Sequence, residues 1–232
     1  MDVVELLPGL HHLRFAVGHA YVWRSDDGLT LVDAGVPGSG PEIAAALRGL
    51  GHDTADVRRL FLTHFHEDHV GGAAEVAGWG EVTVYAHRAD APFIRGETPG
   101  PDPVLLDWER DLLAQVRSGM AKTDPDPVRV DRELTGGETL IDGAQVLAVP
   151  GHTPGSAALY LPGPGVLFTG DTIARSPDGE VILGVFNVDR AAAIESFRLQ
   201  AVLDVRVACF GHGEPLTTEA TARLRGAARG LR

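Results

Sequence analysis

Thr63-His64-Phe65-His66-Glu67-Asp68-His69 carries more information than any other stretch of this 232-residue chain. Histidine fills only 10 of the 232 positions, so His-x-His-x-Asp-His arises by chance on the order of one time in a thousand. The apolar run before it, 59–63, reads as a strand. Residues two apart in an extended chain project to the same side, so His64 and His66 can converge on one cation. The turn that follows aims Asp68 and His69 at a second. Imidazole and carboxylate donors suit zinc, iron, manganese or nickel, and the lack of sulfur ligands argues against a closed structural zinc site.

Three further fragments share a logic. Pro150-Gly151-His152-Thr153 follows a predicted strand at 146–149, Gly170-Asp171-Thr172 follows one at 166–169, and Gly211-His212-Gly213 follows one at 205–210. Each sets a metal-ligating side chain at the carboxyl end of an apolar strand, beside a glycine that allows close backbone approach. Alone, such a residue is ordinarily a hydrogen-bonded structural group. Together with the first motif, the three imply a common rim.

These residues, with Leu31-Val32-Asp33-Ala34-Gly35 before them, stand in the order found in the metallo-beta-lactamase superfamily, which the chain resembles along most of its length. The resemblance implies an α/β fold, an αββα sandwich of two mixed β-sheets flanked by helices, with a metal site along one edge. It implies two divalent metal ions, zinc first, with iron or manganese as alternatives. His64, His66 and His152 would hold one ion and Asp68, His69 and His212 the other, with Asp171 bridging. A hydroxide between two such ions is nucleophilic near neutral pH. The expected function is therefore hydrolysis of an ester, thioester or lactone, as in glyoxalase II, with Asp68 as the catalytic group that orients the hydroxide or takes a proton.

Within that family, metallo-beta-lactamases proper usually carry cysteine or serine where this chain has Asp171, which disfavours a β-lactamase-type amide hydrolase. Familiar lactonases often place tyrosine three residues after the bridging aspartate, where this chain has Ala174. A mononuclear-iron sulfur (persulfide) dioxygenase shares the scaffold and a subset of the ligands, and stays open as the alternative. A non-enzymatic scaffold is disfavoured because all seven ligand positions are filled.

The remaining pattern reads as one domain over 1–232. Strands are expected at 12–17, 20–24, 29–33, 59–63, 82–86, 128–130, 139–141, 146–149, 157–161, 166–169 and 205–210. Helices are expected at 41–50, 70–76 and 189–203 and from Thr217 onward, the first ending at Gly51 as a glycine stop would have it. Prolines bracket a helical insertion at 92–128, with Leu105, Leu106, Leu112, Leu113, Val116 and Met120 at helical spacing, which could form a lid over the site.

Twenty basic against 32 acidic residues give a net charge of −12, and with no basic cluster this excludes nucleic acid as a natural partner. No apolar run is long enough for a membrane helix. The single cysteine, Cys209, cannot close an intrachain disulfide, and Asp2 and Glu5 stand where a signal peptide would be positive. A cytoplasmic protein acting on a small molecule, with a homodimer as one option for its assembly, is the expectation.

Supporting residues are less determined. Asp33 either orients a ligand imidazole or is a plain turn residue before Gly35. Thr63 and Thr153 either donate near the site or simply end strands. His19, Trp108, Arg175 and Asn187 are candidates for the substrate pocket. His11, His12, His52 and His87 are expected in surface or capping roles, and Cys209 in the core.

Overall fold

Alternating apolar residues build two sheets that each have two buried faces, and this is what makes the fold a four-layer sandwich. The computed structural model describes residues 1–119 and 124–232. The chain opens with strands β1 (Asp2–Leu7), β2 (Leu10–Arg14), β3 (His19–Ser25) and β4 (Gly28–Val32), then helix α1 (Gly40–Gly49) and strand β5 (Val57–Phe61). Helices α2 (Glu67–Val70) and α3 (Ala73–Ala77), strand β6 (Thr83–His87), helices α4 (Ala91–Ile94) and α5 (Asp107–Gly119), and strand β7 (Arg132–Leu134) follow. These seven strands form one sheet in chain order, antiparallel through β4 and parallel from β4 to β7.

The second half supplies β8 (Gln145–Ala148), β9 (Ala157–Leu161), β10 (Val166–Phe168), the β11 (Ile173–Arg175) and β12 (Val181–Leu183) hairpin, α6 (Arg190–Ala201), β13 (Val207–Cys209) and α7 (Ala220–Gly230). The second sheet runs β13-β10-β9-β8, with β10 and β13 parallel and the other pairs antiparallel.

Period-two side-chain alternation sorts the core into three apolar layers. Leu29 and Leu31 of β4 pack with Ile43 and Leu47 of α1 and with Val70, Ala73 and Val76. Val32, one residue on, points the other way, into the layer between the sheets with Phe61, Leu159, Leu161, Val166 and Phe168. Ala158, Tyr160 and Leu167 face α6 and α7 through Ile194, Phe197 and Leu224. The order helix, sheet, sheet, helix is the expected αββα sandwich, and both sheets are mixed.

Several elements differ from expectation. The N-terminal Asp2–Leu7 forms an edge strand although its residues are mostly exposed, because hydrogen bonding to β2 needs no apolar side chains. The strand expected at 128–130 is displaced to Arg132–Leu134. At 139–141 only a single bridge, Thr139 to Gln145, forms. The β11–β12 hairpin has strands of three residues each, too short to leave a periodic signal in the sequence.

The helix expected at 70–76 is broken in two. Gly71 N–H donates to Gly35 O at 2.8 Å and Gly72 N–H to Ala34 O at 3.2 Å, instead of to carbonyls within the helix. A Cβ on Gly71 would lie 2.1 Å from Pro37 N and Val36 C, so only glycine permits this approach. The Ala34–Gly35 turn is thereby clamped against the histidine-bearing segment.

Candidate metal centre

Every expected ligand sits just past a strand or on the short helix that follows one. His64 and His66 follow β5, Asp68 and His69 lie in α2, and His152, Asp171 and His212 follow β8, β10 and β13. Neighbouring strands in a sandwich end at the same edge, so residues up to 148 positions apart meet there.

Three donor groups result. His64, His66 and His152 form one, His64, His69 and Asp171 a second, and Asp68, His69 and His212 a third, with the donor atoms of each group all within 4.8 Å of one another. Asp171 is central. Its Oδ2 lies 3.2 Å from His212 Nε2, 3.6 Å from His152 Nε2 and 3.9 Å from His64 Nε2, and its Oδ1 lies 3.3 Å from His69 Nε2. Asp68 Oδ2 sits 3.1 Å from His212 Nε2 and 3.8 Å from His69 Nε2.

The donor set fits divalent cations. His64 Nε2, His69 Nε2 and Asp171 Oδ1 are buried and have no hydrogen-bond partner, although they face one another. Such atoms carry a desolvation penalty unless something compensates it, and a cation among them would. Burial, aided by neighbouring imidazoles, lowers the pKa of His66 to about 4 and of His152 to about 3, and lowers that of His64 well below the usual value. These three rings are therefore neutral, the form that binds metal. At His69 burial also disfavours the charged ring, but Asp171, Asp68 and Asp33 outweigh it and raise the pKa.

A supporting layer fixes the rings. Asp33 Oδ2 lies 2.8 Å from His69 Nδ1 and accepts a 2.7 Å hydrogen bond from Thr63 Oγ1, while Oδ1 accepts from Thr63 N at 2.8 Å. Asp33 reaches this position from a left-handed backbone, φ +61°, which aspartate tolerates better than most residues. Thr63 Oγ1 also contacts His64 Nδ1 at 3.0 Å, and His152 Nδ1 faces Val185 O at 3.0 Å. With the outer nitrogens of His64, His69 and His152 so engaged, the Nε2 atoms of His64 and His69 are left for a metal, and His152 Nε2 lies 2.9 Å from His66 Nδ1, where one ion could take both.

Thr153 lies one layer further out. Its hydroxyl donates to Asp90 Oδ2 at 2.7 Å. Asp90, fully buried, also accepts from Gly155 N at 2.6 Å and Phe65 N at 3.1 Å. One carboxylate thus joins the loop carrying His64 and His66 to the loop carrying His152. Sequence reading missed Asp90, because an aspartate following His87 and Arg88 reads as surface. Its position just before the apolar Ala91-Pro92-Phe93-Ile94 was the only hint.

A cavity of about 580 Å³ opens over the donors, lined by His19 together with His66, Asp68, His152, Asp171 and His212. Of the other pocket candidates, Trp108 is 57% exposed and does not line the cavity. Arg175 turns its guanidinium to Gly179 O and Glu214 O, while its backbone N–H donates to His212 O at 3.1 Å. Asn187 is buried and donates to Gly184 O, so it shapes the wall from behind. His12 is not at the surface: it stacks on Tyr21 and meets the His19 ring edge-on at 4.4 Å. Met120 lies outside the described residues.

Gly211 shows how tightly the rim is packed. A Cβ there would fall 1.9 Å from Asp171 Oδ1 and 2.6 Å from His69 Cε1. Gly211→Ala is expected to displace the Asp171 carboxylate and lower metal affinity at least tenfold, measured by competition with a chelator. Wild-type affinity in that variant would show that the carboxylate has room to move.

A profile of the metallo-beta-lactamase superfamily matches residues 13–212. The chain belongs to that superfamily. Among its relatives is a probable metallo-hydrolase, YflN, of Bacillus subtilis (strain 168), 26% identical over 92% of this chain and 87% of that protein. A hydroxyacylglutathione hydrolase of Synechococcus sp. (strain JA-3-3Ab) is 33% identical, but over only 56% of this chain and 40% of its own length. A metallo-beta-lactamase family protein from Thermus thermophilus superimposes with a TM-score of 0.69 at 25% identity, covering 98% of this chain and 79% of that one. This chain is thus a metallo-beta-lactamase-fold metallo-hydrolase. Among the described residues no helix is long and apolar enough to cross a membrane.

Proposed function

We propose that this protein hydrolyses the ester, thioester or lactone bond of a small molecule, using two divalent cations, zinc first among them. The carrying observation is the meeting of seven donor side chains in three overlapping groups, each spanning no more than 4.8 Å. His64, His66 and His152 would hold one cation and Asp68, His69 and His212 the other, with Asp171 between. Cations bound there supply Lewis acidity, acidifying water and polarising a carbonyl.

The chain's own groups do the rest. Asp68 carries its Oδ2 into the cavity beside His212, where it orients the attacking water and receives its proton. Asp33 holds His69 and Thr63 in register, so the donors are positioned before substrate arrives. The likeness to hydroxyacylglutathione hydrolases supports a thioester among the substrate bonds.

The test is elemental analysis of purified protein, then anaerobic assay of thioesters, esters, lactones and β-lactams. About two equivalents of zinc or manganese and oxygen-independent acyl cleavage are expected. One equivalent of iron, with oxygen consumed on a persulfide and no acyl cleavage, would replace this reading with dioxygenase chemistry.

A further inference from the structure

The cavity over the donors has two unlike parts. Its floor is histidine and aspartate, whereas one wall is the inner face of α5, where Leu112, Leu113 and Val116 are half-buried. Val17 and Phe186 line the same cavity. No described element packs extensively against α5, so its apolar face looks into the cavity rather than onto a neighbouring helix.

This wall is a built feature. Glu109, only 2% exposed on α5, accepts hydrogen bonds from Leu106 N at 2.8 Å and Phe186 N at 3.2 Å. Phe186 is held at φ +60°, a conformation an aromatic residue adopts only when its surroundings impose it. Val104 N–H donates to Asn187 O at 2.9 Å, a second tie between the two walls. A buried carboxylate therefore ties α5 to Phe186 in a largely apolar part of the cavity that the candidate ligands also line.

Resting on the hydrolase reading above, we infer that the acyl portion of the substrate is an apolar chain. It lies along α5 between Leu113 and Phe186, with its carbonyl at the donor floor. Gln115 and Arg117 of α5 and Glu67 also line the cavity, but beside Leu112, Leu113 and Val116 a polar or peptide-like acyl group would find few hydrogen-bond partners.

The experiment uses metal-loaded protein and a p-nitrophenyl ester series from acetyl to octanoyl. Each added methylene is expected to raise kcat/KM about fourfold until the slot is full. Leu113→Asn should cut the octanoyl-over-acetyl preference at least tenfold, and Val202→Asn, on the far helix α6 boundary, should leave that preference as in wild type. Equal or better turnover of the shortest esters would overturn the inference and leave the hydrolase reading standing. Calorimetric titration with butanoate, hexanoate and octanoate decides the matter even without turnover. Affinity rising with chain length supports the slot, and flat or absent binding overturns it, whereas failure to cleave any acyl bond counts against the hydrolase reading alone.

Discussion

Asp171→Ala is expected to bring metal content below one equivalent and turnover down by about a thousandfold or more. Asp171 is the one residue whose two oxygens face His64, His69, His152 and His212 together, at 3.2 to 3.9 Å. On the two-cation reading, removing it takes away the negative charge that would let two cations sit close to each other. Lewis-acid stabilisation is worth several kcal/mol, which corresponds to roughly three powers of ten in rate. Asp171→Asn keeps the shape while removing the charge, so it should retain more metal than alanine and still lose most activity. Full metal content with full turnover in the alanine variant would refute Asp171 as the shared ligand.

The second large effect is on stability. Asp90→Ala would leave Gly155 N and Phe65 N without their acceptor inside the protein, while Thr153 Oγ1 would keep only Ser156 Oγ at 2.8 Å. A buried group so orphaned costs about 1–3 kcal/mol, and two that share one site should total on the order of 3 kcal/mol, or about 9 °C in melting temperature. Metal affinity at His64, His66 and His152 should fall with it, because the two loops would no longer be tied.

The same carboxylate makes a pH prediction. Burial pushes Asp90 up from 3.8 to about 6, against the pull of its three hydrogen bonds. A raised carboxylate pKa means the folded state holds the proton more tightly. Its contribution is complete below pH 3.8 and is lost as pH rises through about 6. Asp90→Asn has no such titration, so the stability advantage of wild type over it should shrink across that window. Chemical denaturation at several pH values reads this directly, and a constant difference would mean Asp90 does not titrate there.

The candidate ligands were legible because each lies in a local pattern: His64, His66, Asp68 and His69 in one compact motif after an apolar strand, and His152, Asp171 and His212 each after an apolar strand and a glycine. The rings of His64 and His66 need only strand geometry and a turn to become neighbours. Asp33 could not be settled in the same way. A turn aspartate and a histidine-orienting aspartate look alike until His69 is placed 2.8 Å away. Asp90 was invisible, since its partners at Phe65, Thr153 and Gly155 come from two distant segments. Trp108 misled for the opposite reason: an aromatic on an amphipathic helix suggests burial, but α5 turns Leu112, Leu113 and Val116 to the cavity and leaves Trp108 outside.

Local pattern alone displayed the candidate metal-ligating residues, the alternation that builds two double-faced sheets and the order of motifs by which the chain resembles its superfamily. Those rest on interactions between residues a few positions apart, which a linear string displays. Tertiary structure alone decided the role of Asp90, the buried stack of His12 on Tyr21, the break at Gly71 and the tie of α5 to Phe186 over the cavity. Each depends on which distant segments the sandwich brings into contact, and contacts of that kind leave no periodic trace in either partner's sequence.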